Sequence, residues 1–528
     1  MKRSSLILIM VFFTCMARGQ FFQVTEGPMF PAPEKGIAKI LQMKNGTTVY
    51  LHIDFDSSIN VQVYEPEYRV KTETRFIPAK LKLSSGKVEG ILETNGDLVI
   101  LISETSDNET ALYRLVVDGK LAILKQEEKI ATVKKNVLKN EKTKSLVDSL
   151  PELAVSKDAA GEYYAVALFN NNLSDTGKRI EIILYGNDNK EINRASYSAK
   201  KEKYKNLQYI DMAVIGPDRV AALFYGYNRE ASGEKTGEMI LASLEKGSPV
   251  IKLSELNYSN DLVPENGIVR YEKVFNQLLM LTTARVKSDT NKLRNYLGYI
   301  NLASKELNTN TVIGPGEKVK SQYTALNGKK AVYKAVPQNL LLNEDRSFTI
   351  MFEELETVTS KGAVSHSIIR NTSIVHYNPD GEVTDAYFIP MEHHVPGIAL
   401  VPFYQRKREI LGQQLLNNGQ YAISKYITDG HISFLLLNDK QVNAKEGTGN
   451  KITAFNDLKG TDAYYCRLSG KEISPGLQHV FGKPVSDEER KLALFSVSDY
   501  DRANNILIFL KQDKEVGRTG VKLVWVQP

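Results

Sequence analysis

Cysteine is almost missing from this chain: Cys15 and Cys466 are the only two in 528 residues. Cys15 falls in an N-terminal segment expected to be cleaved, so a single cysteine remains and no internal disulfide can form. The fold must rely on its core, and 42% apolar residues supply an ample one for a chain of this length. Tryptophan occurs once, as Trp525. That weakens a sugar-cleaving reading built on aromatic stacking, although 26 tyrosines are available in its place. No His-Glu-x-x-His is present, which excludes the common zinc-protease helix, and no Gly-x-Ser-x-Gly elbow. Gly447-Thr448-Gly449-Asn450-Lys451 lacks the spacing and hydroxyl partner of a phosphate-cradling loop. Nothing approaches the run of ~20 apolar residues that a membrane helix needs.

The start of the chain reads as an export signal over residues 1–19. Lys2 and Arg3 are followed by the apolar run SLILIMVFFT, and Ala17-Arg18-Gly19 places small residues at the cleavage site. Cys15 offers another processing route, acylation at the head of the mature chain. Thr14 departs from the small residue expected before such a cysteine, so the better cut leaves Gln20 first. A short basic signal ending before Gln resembles those of secreted and envelope proteins of the Bacteroidetes group. Removing Lys2, Arg3 and Arg18 takes the formal charge of +6 to about +3. That balance argues against a nucleic-acid partner. Lysines cluster at 125–144 and at Lys200, Lys201, Lys203 and Lys205, and read as solvated faces.

Short apolar runs recur along the rest. They include TVYLHI (48–53), LVILI (98–102), YYAVALF (163–169), VAALFY (220–225), LLML (278–281), FTIMF (348–352), ISFLLL (432–437) and LALFSV (492–497). Their length, β-branched and aromatic content and Gly, Asn, Asp or Pro flanks predict strands over helices. Continuous apolarity predicts that both faces of each strand are covered. Each run is followed by a polar turn and a more alternating strand, as in RIEIILY (179–185). A turn of Asp, Asn or Gly before a dry inner strand resembles the opening of a β-propeller blade, and the turns before 162, 219 and 276 lie 57 residues apart. The expectation is an all-β chain: a single propeller of about seven or eight blades over 20–528, built from antiparallel hairpin units. Insertions are expected near 136–155 and 391–418, the latter holding an extended segment and then a helix from about Arg406.

Candidate chemistry is thin. Cys466 sits in an alternating strand and reads as a buried, inert thiol. Glu392-His393-His394 is the best metal candidate by residue type, but sequence neighbours rarely converge on one ion, and a polar loop before Pro396 is expected. Gly186–Glu191 and Ser498–Asp501 carry calcium-type residues at positions where hairpin turns are needed anyway. Ser84-Ser85-Gly86-Lys87 matches Ser-x-x-Lys by letters in the wrong context. Asp54 with Asp56, and Glu353 with Glu354, are paired carboxylates whose spacing in space decides their worth. No catalytic, cofactor or metal residue is therefore assigned.

The function expected is a non-enzymatic binding or scaffold module, exported to the periplasm or outer membrane. It would present loops at 225–238, 285–295 and 355–367 to an envelope protein partner, for example as an accessory subunit of an assembly or export machine, with no transmembrane segment after signal cleavage. The alternative is a glycan-binding or glycan-processing propeller, which would need a polar, aromatic-lined pocket on the ring axis with two carboxylates suitably spaced.

Overall fold

Where the chain turns, its sequence supplies residues that accept left-handed backbone. At Gly186-Asn187-Asp188-Asn189 the turn residue Asn189 adopts φ 61°, and the Asp188 carboxylate accepts the Lys190 N–H at 3.0 Å. Asn95, Asn276, Arg346 and Asn505 occupy equivalent left-handed positions between first and second strands or at neighbouring turns. Between such turns, runs like Tyr164–Phe169 pair on both sides in strict antiparallel register and every residue is buried.

The computed structural model describes residues 23–528 apart from 107–108, 135–151, 171–178, 198–202, 230–234, 329–330, 361, 416–418, 430–431, 447–451, 470–474, 485–490 and 516–517. The expected signal segment, Cys15, Lys200, Lys201 and Gly447–Lys451 thus lie outside the described residues, as does most of the insertion expected at 136–155.

Eight antiparallel sheets follow one another along the chain. Blade 1 starts at Ile37–Gln42, blade 2 at Gly86–Thr94, blade 3 at Glu152–Lys157 and blade 4 at Asn206–Ile215. Blade 5 starts at Leu262–Glu272, blade 6 at Val336–Leu342, blade 7 at Lys425–Thr428 and blade 8 at Leu492–Asp501. Blade 8 takes only three strands from the C-terminal end. Its fourth is Gln23–Glu26, which pairs with Arg518–Gln527 and closes the ring. The chain is an eight-bladed β-propeller.

The core lies between blades. One apolar cluster joins blades 1 and 2 through Leu51, Val61, Ile100 and Leu115, and another joins blades 3 and 4 through Phe169, Ile182 and Phe224. The closing seam holds Trp525, fully buried. Its indole Nε1 donates to Thr48 Oγ1 of blade 1 at 3.0 Å, and its ring stacks on Tyr68 at 4.7 Å.

The expected blade boundaries are corrected by one strand. The dry runs are the second strands of blades 1 to 7, not the innermost ones; only LALFSV opens its blade. Second strands are sandwiched between the neighbouring blades, so both faces are apolar. Innermost strands border the axis and carry Lys39, Asp211 and Arg270. Residues 152–155 belong to the innermost strand of blade 3 rather than to an insertion.

Strand direction alternates within each blade. The hairpins joining second to third strands therefore share one face of the ring with the connections between blades. On that face, helix α1 (Gly316–Asn327) links blades 5 and 6, and helix α2 (Tyr404–Leu411) lies between blades 6 and 7. Helix α2 begins two residues before Arg406.

Candidate functional site

The axis of the ring is occupied by the chain itself. Between Pro396 and Lys425 the blade 6–7 connection turns inward and places α2 against the innermost strands of blades 2 and 6, on opposite sides of an eight-membered ring. Phe403 takes a left-handed φ of 63° and donates its N–H to Pro337 O at 2.8 Å, which aims the helix inward. Gly412 ends α2 with φ 79°. A Cβ there would stand 2.9 Å from Ile37 and 3.0 Å from the Ala38 carbonyl, so only glycine lets the chain pass so close to blade 1. Gln413–Gln414 then pairs with Ile37–Ala38, adding a short strand to the inner edge of blade 1. Asn438 of blade 7 holds Tyr421 O at 2.8 Å, and Ser496 of blade 8 holds Gln420 O at 3.2 Å.

Beside this plug a partly open cavity of 80 Å³ remains, bounded by blades 1, 7 and 8. Lys39, Arg408, Lys425, Glu409 and Asp499 line it, with Phe495 the one aromatic ring. Lys39 is 9% exposed and its Nζ donates to the Glu409 carbonyl. Burial pushes the Lys39 amine down to about 8, against the pull of Asp499 and with Lys425 and Arg406 adding to the shift. Burial alone would raise the Glu409 carboxyl. Lys425, Arg406 and Arg270 outweigh it and hold that carboxyl below its usual value. Glu409 Oε1 accepts from Asn339 Nδ2 at 2.6 Å, and 38% of its side chain faces the lumen. Asp499 Oδ2 accepts the Gln42 N–H at 2.7 Å.

A second polar group is sealed off entirely. Glu353, on the second strand of blade 6, accepts from Tyr404 Oη at 2.8 Å and Ser424 Oγ at 3.2 Å, so both ends of the plug are tied to it. Burial raises its carboxyl to about 7 despite these bonds. Nearby, His393 Nδ1 faces the Ala422 carbonyl at 2.8 Å and so carries its proton there, while Nε2 stands 3.6 Å from Asp439.

The residues singled out from sequence do not converge. Glu392-His393-His394 is strand, not loop, within Val383–Pro396. Alternation turns His393 into the core, and leaves Glu392 and His394 together outside at 3.2 Å. Among the described residues no cluster of three metal-type side chains forms. Asp188 is engaged by Lys190 and Asn189 by Tyr164. Asp499 lies in a strand rather than a turn, and Asp501 caps the turn at Ala503. Lys87 pairs with Glu89, not with Ser84. Asp54 closes a turn through Ser57 at 2.8 Å. Glu354 leaves Glu353 and binds Asn371 Nδ2 at 2.7 Å. Cys466 is fully buried, and burial pushes its thiol up to about 12.

The segments expected as loops are mostly strand. Arg219–Arg229 with Lys235–Glu245, Gln277–Val286 with Asp289–Asn301, and Phe348–Ser360 with Ala363–Tyr377 form long hairpins on three consecutive blades. They rise on the face from which the plug enters. Val312, Val332, Val364 and Val401 are exposed, and the hairpins carry the ion pairs Lys203–Glu238 and Arg370–Glu392.

No protein-family model and no curated protein matches the chain. Among solved structures it is similar to a prolyl endopeptidase at 8% identity and TM-score 0.35, covering 80% of this chain and 46% of that one. The chain thus spans about half the length of that relative. It is also similar to the β-propeller domain of the Trilobed protease from Pyrococcus furiosus, at 8% identity and TM-score 0.32 over 67% of this chain and 95% of that one. A third is polysaccharide lyase Uly1, at 7% identity and TM-score 0.35 over 84% and 90%. These are likenesses of fold alone, and no chemistry is carried over from them. No helix among the described residues is long and apolar enough to cross a membrane.

Proposed function

We propose that this protein is an exported, non-enzymatic binding module of the cell envelope, which holds a protein partner on the face built by the hairpins of blades 4 to 6. The observation that carries the reading is the plug. An axial funnel is where a propeller would take in a glycan, and here α2 fills it, leaving a cavity of 80 Å³ with a single aromatic wall. Exposed apolar side chains on this face, Val332 and Val364 among them, suit contact with a protein.

The test is affinity purification of the tagged protein from gently solubilised envelopes, beside a Val332→Asp/Val364→Asp variant. A stoichiometric partner that the variant loses supports the reading. A protein that emerges alone, or a partner indifferent to both substitutions, overturns it and moves the glycan alternative to binding and hydrolysis screens.

A further inference from the structure

The lumen around α2 holds more positive than negative charge. Lys39, Arg408 and Lys425 line the cavity, and Arg270 and Arg406 act on the same groups from beside it. Against these five cations stand the carboxylates Glu409, Asp499 and Asp211, and a fourth, Glu353, which is bonded to Ser424 and is charged above about pH 7. Asp211 is spent on the Val269 N–H at 2.9 Å.

The cations are held by neutral oxygens instead. Lys39 donates to the Glu409 carbonyl, Arg270 to Leu340 O at 3.0 Å, and Arg408 to Gln413 Oε1 at 2.5 Å. Arg406 comes only within 3.8 Å of Glu409, and its buried Nε has no hydrogen-bond partner. Among the described residues, no carboxylate lies within ion-pair distance of Lys39, Arg270, Arg408 or Lys425. Carbonyls and amides orient a cation without neutralising it. Enclosed charge is normally matched by a counter-charge, because leaving it unmatched is expensive. The cavity beside Lys39, Arg408 and Lys425 is also the right size. Each water takes about 10–15 Å³ measured the same way, so the 80 Å³ space admits a group of a few heavy atoms.

We propose that this axial cavity is a binding site for one small tetrahedral oxyanion of the phosphate or sulfate class, held by Lys39, Arg408 and Lys425. The site is independent of what the outer face binds. The anion would neutralise the lumen and fasten α2 to blades 1 and 7.

Calorimetric titration of the purified protein with inorganic phosphate, at constant ionic strength in chloride, tests it. One saturable site is expected. Lys425→Gln and Lys39→Met should each weaken it roughly tenfold or more, the loss expected of a charged hydrogen bond. Affinity should fall as pH rises through about 8, where Lys39 loses its proton; the charged groups that face it are Arg406, Arg408, Glu409, Lys425 and Asp499, with Glu353 behind Ser424. Lys425→Gln should also melt higher than wild type in phosphate-free buffer, since it removes surplus charge. Absence of saturable heat with both millimolar phosphate and millimolar sulfate overturns the proposal. So does equal affinity in wild type and both variants. Should a variant fail to fold, crystals of the wild type grown in selenate decide: an anomalous peak between Lys39 and Lys425 supports the site, and peaks only elsewhere overturn it.

Discussion

Glu353 shows how a single buried carboxyl sets a pH dependence. Its carboxyl titrates at about 7 in the fold, against 4.5 for a free glutamate. Between those values the folded protein keeps a proton that the unfolded chain has lost. This group's contribution to stability is complete below pH 4.5 and falls away as pH rises through 7. The difference amounts to roughly 3 kcal/mol at most. Glu353→Gln should therefore flatten the stability profile between pH 4.5 and 7 and leave the variant more stable than wild type at pH 8. Urea unfolding at pH 5 and pH 8 reads both. Nothing in the sequence marked this residue apart from its neighbour: Glu353 and Glu354 read as a pair, and only the packed strand sends one inward to Tyr404 and the other out to Asn371. The lumen residues were equally invisible. Lys39 meets the Glu409 carbonyl across 370 positions of chain, and no local pattern announces such a meeting.

Among the elements, the second strands of blades 1 to 7 were legible, and of the first strands only LALFSV in blade 8 was. YAVALF and its counterparts are apolar on both faces because a blade lies on either side. Innermost strands such as IAKILQ mix charge with apolar residues because one edge borders the axis, and no continuous apolar run marks them. The hairpins of blades 4 to 6 read as loops since their outer halves rise beyond the packed sheet and are polar, as in the ELETVTS end of Phe348–Ser360. The helix at 404–411 was legible, but its place was not, because helical propensity says nothing of what lies around a helix. Gly412 tests how firmly the plug is seated. Gly412→Ala introduces a Cβ against Ile37 and the Ala38 carbonyl at a φ of 79°. A loss of about 1–3 kcal/mol in unfolding free energy is expected. An unchanged stability would mean that the plug can ride outward freely.

For the whole molecule, the ring is only as strong as its seam. Trp525 packs between blades 8 and 1, and a Cβ added at Gly27 would stand 3.2 Å from its ring. Trp525→Ala should cost about 3–5 kcal/mol by the emptied volume alone, read by thermal or urea unfolding. A further loss from blades parting at the seam would appear as a shallower denaturant slope.

The strand that completes blade 8 is also the first piece of the described chain to be synthesised. Gln23–Glu26 leaves the ribosome almost five hundred residues before Arg518–Gln527, the strand it must clasp. Throughout that interval the blades can form one after another, but the circle stays an open arc with an unsatisfied edge at its growing end. Until Arg518–Gln527 pairs with Gln23–Glu26 the blades form an arc, and that one pairing decides whether the arc becomes a ring.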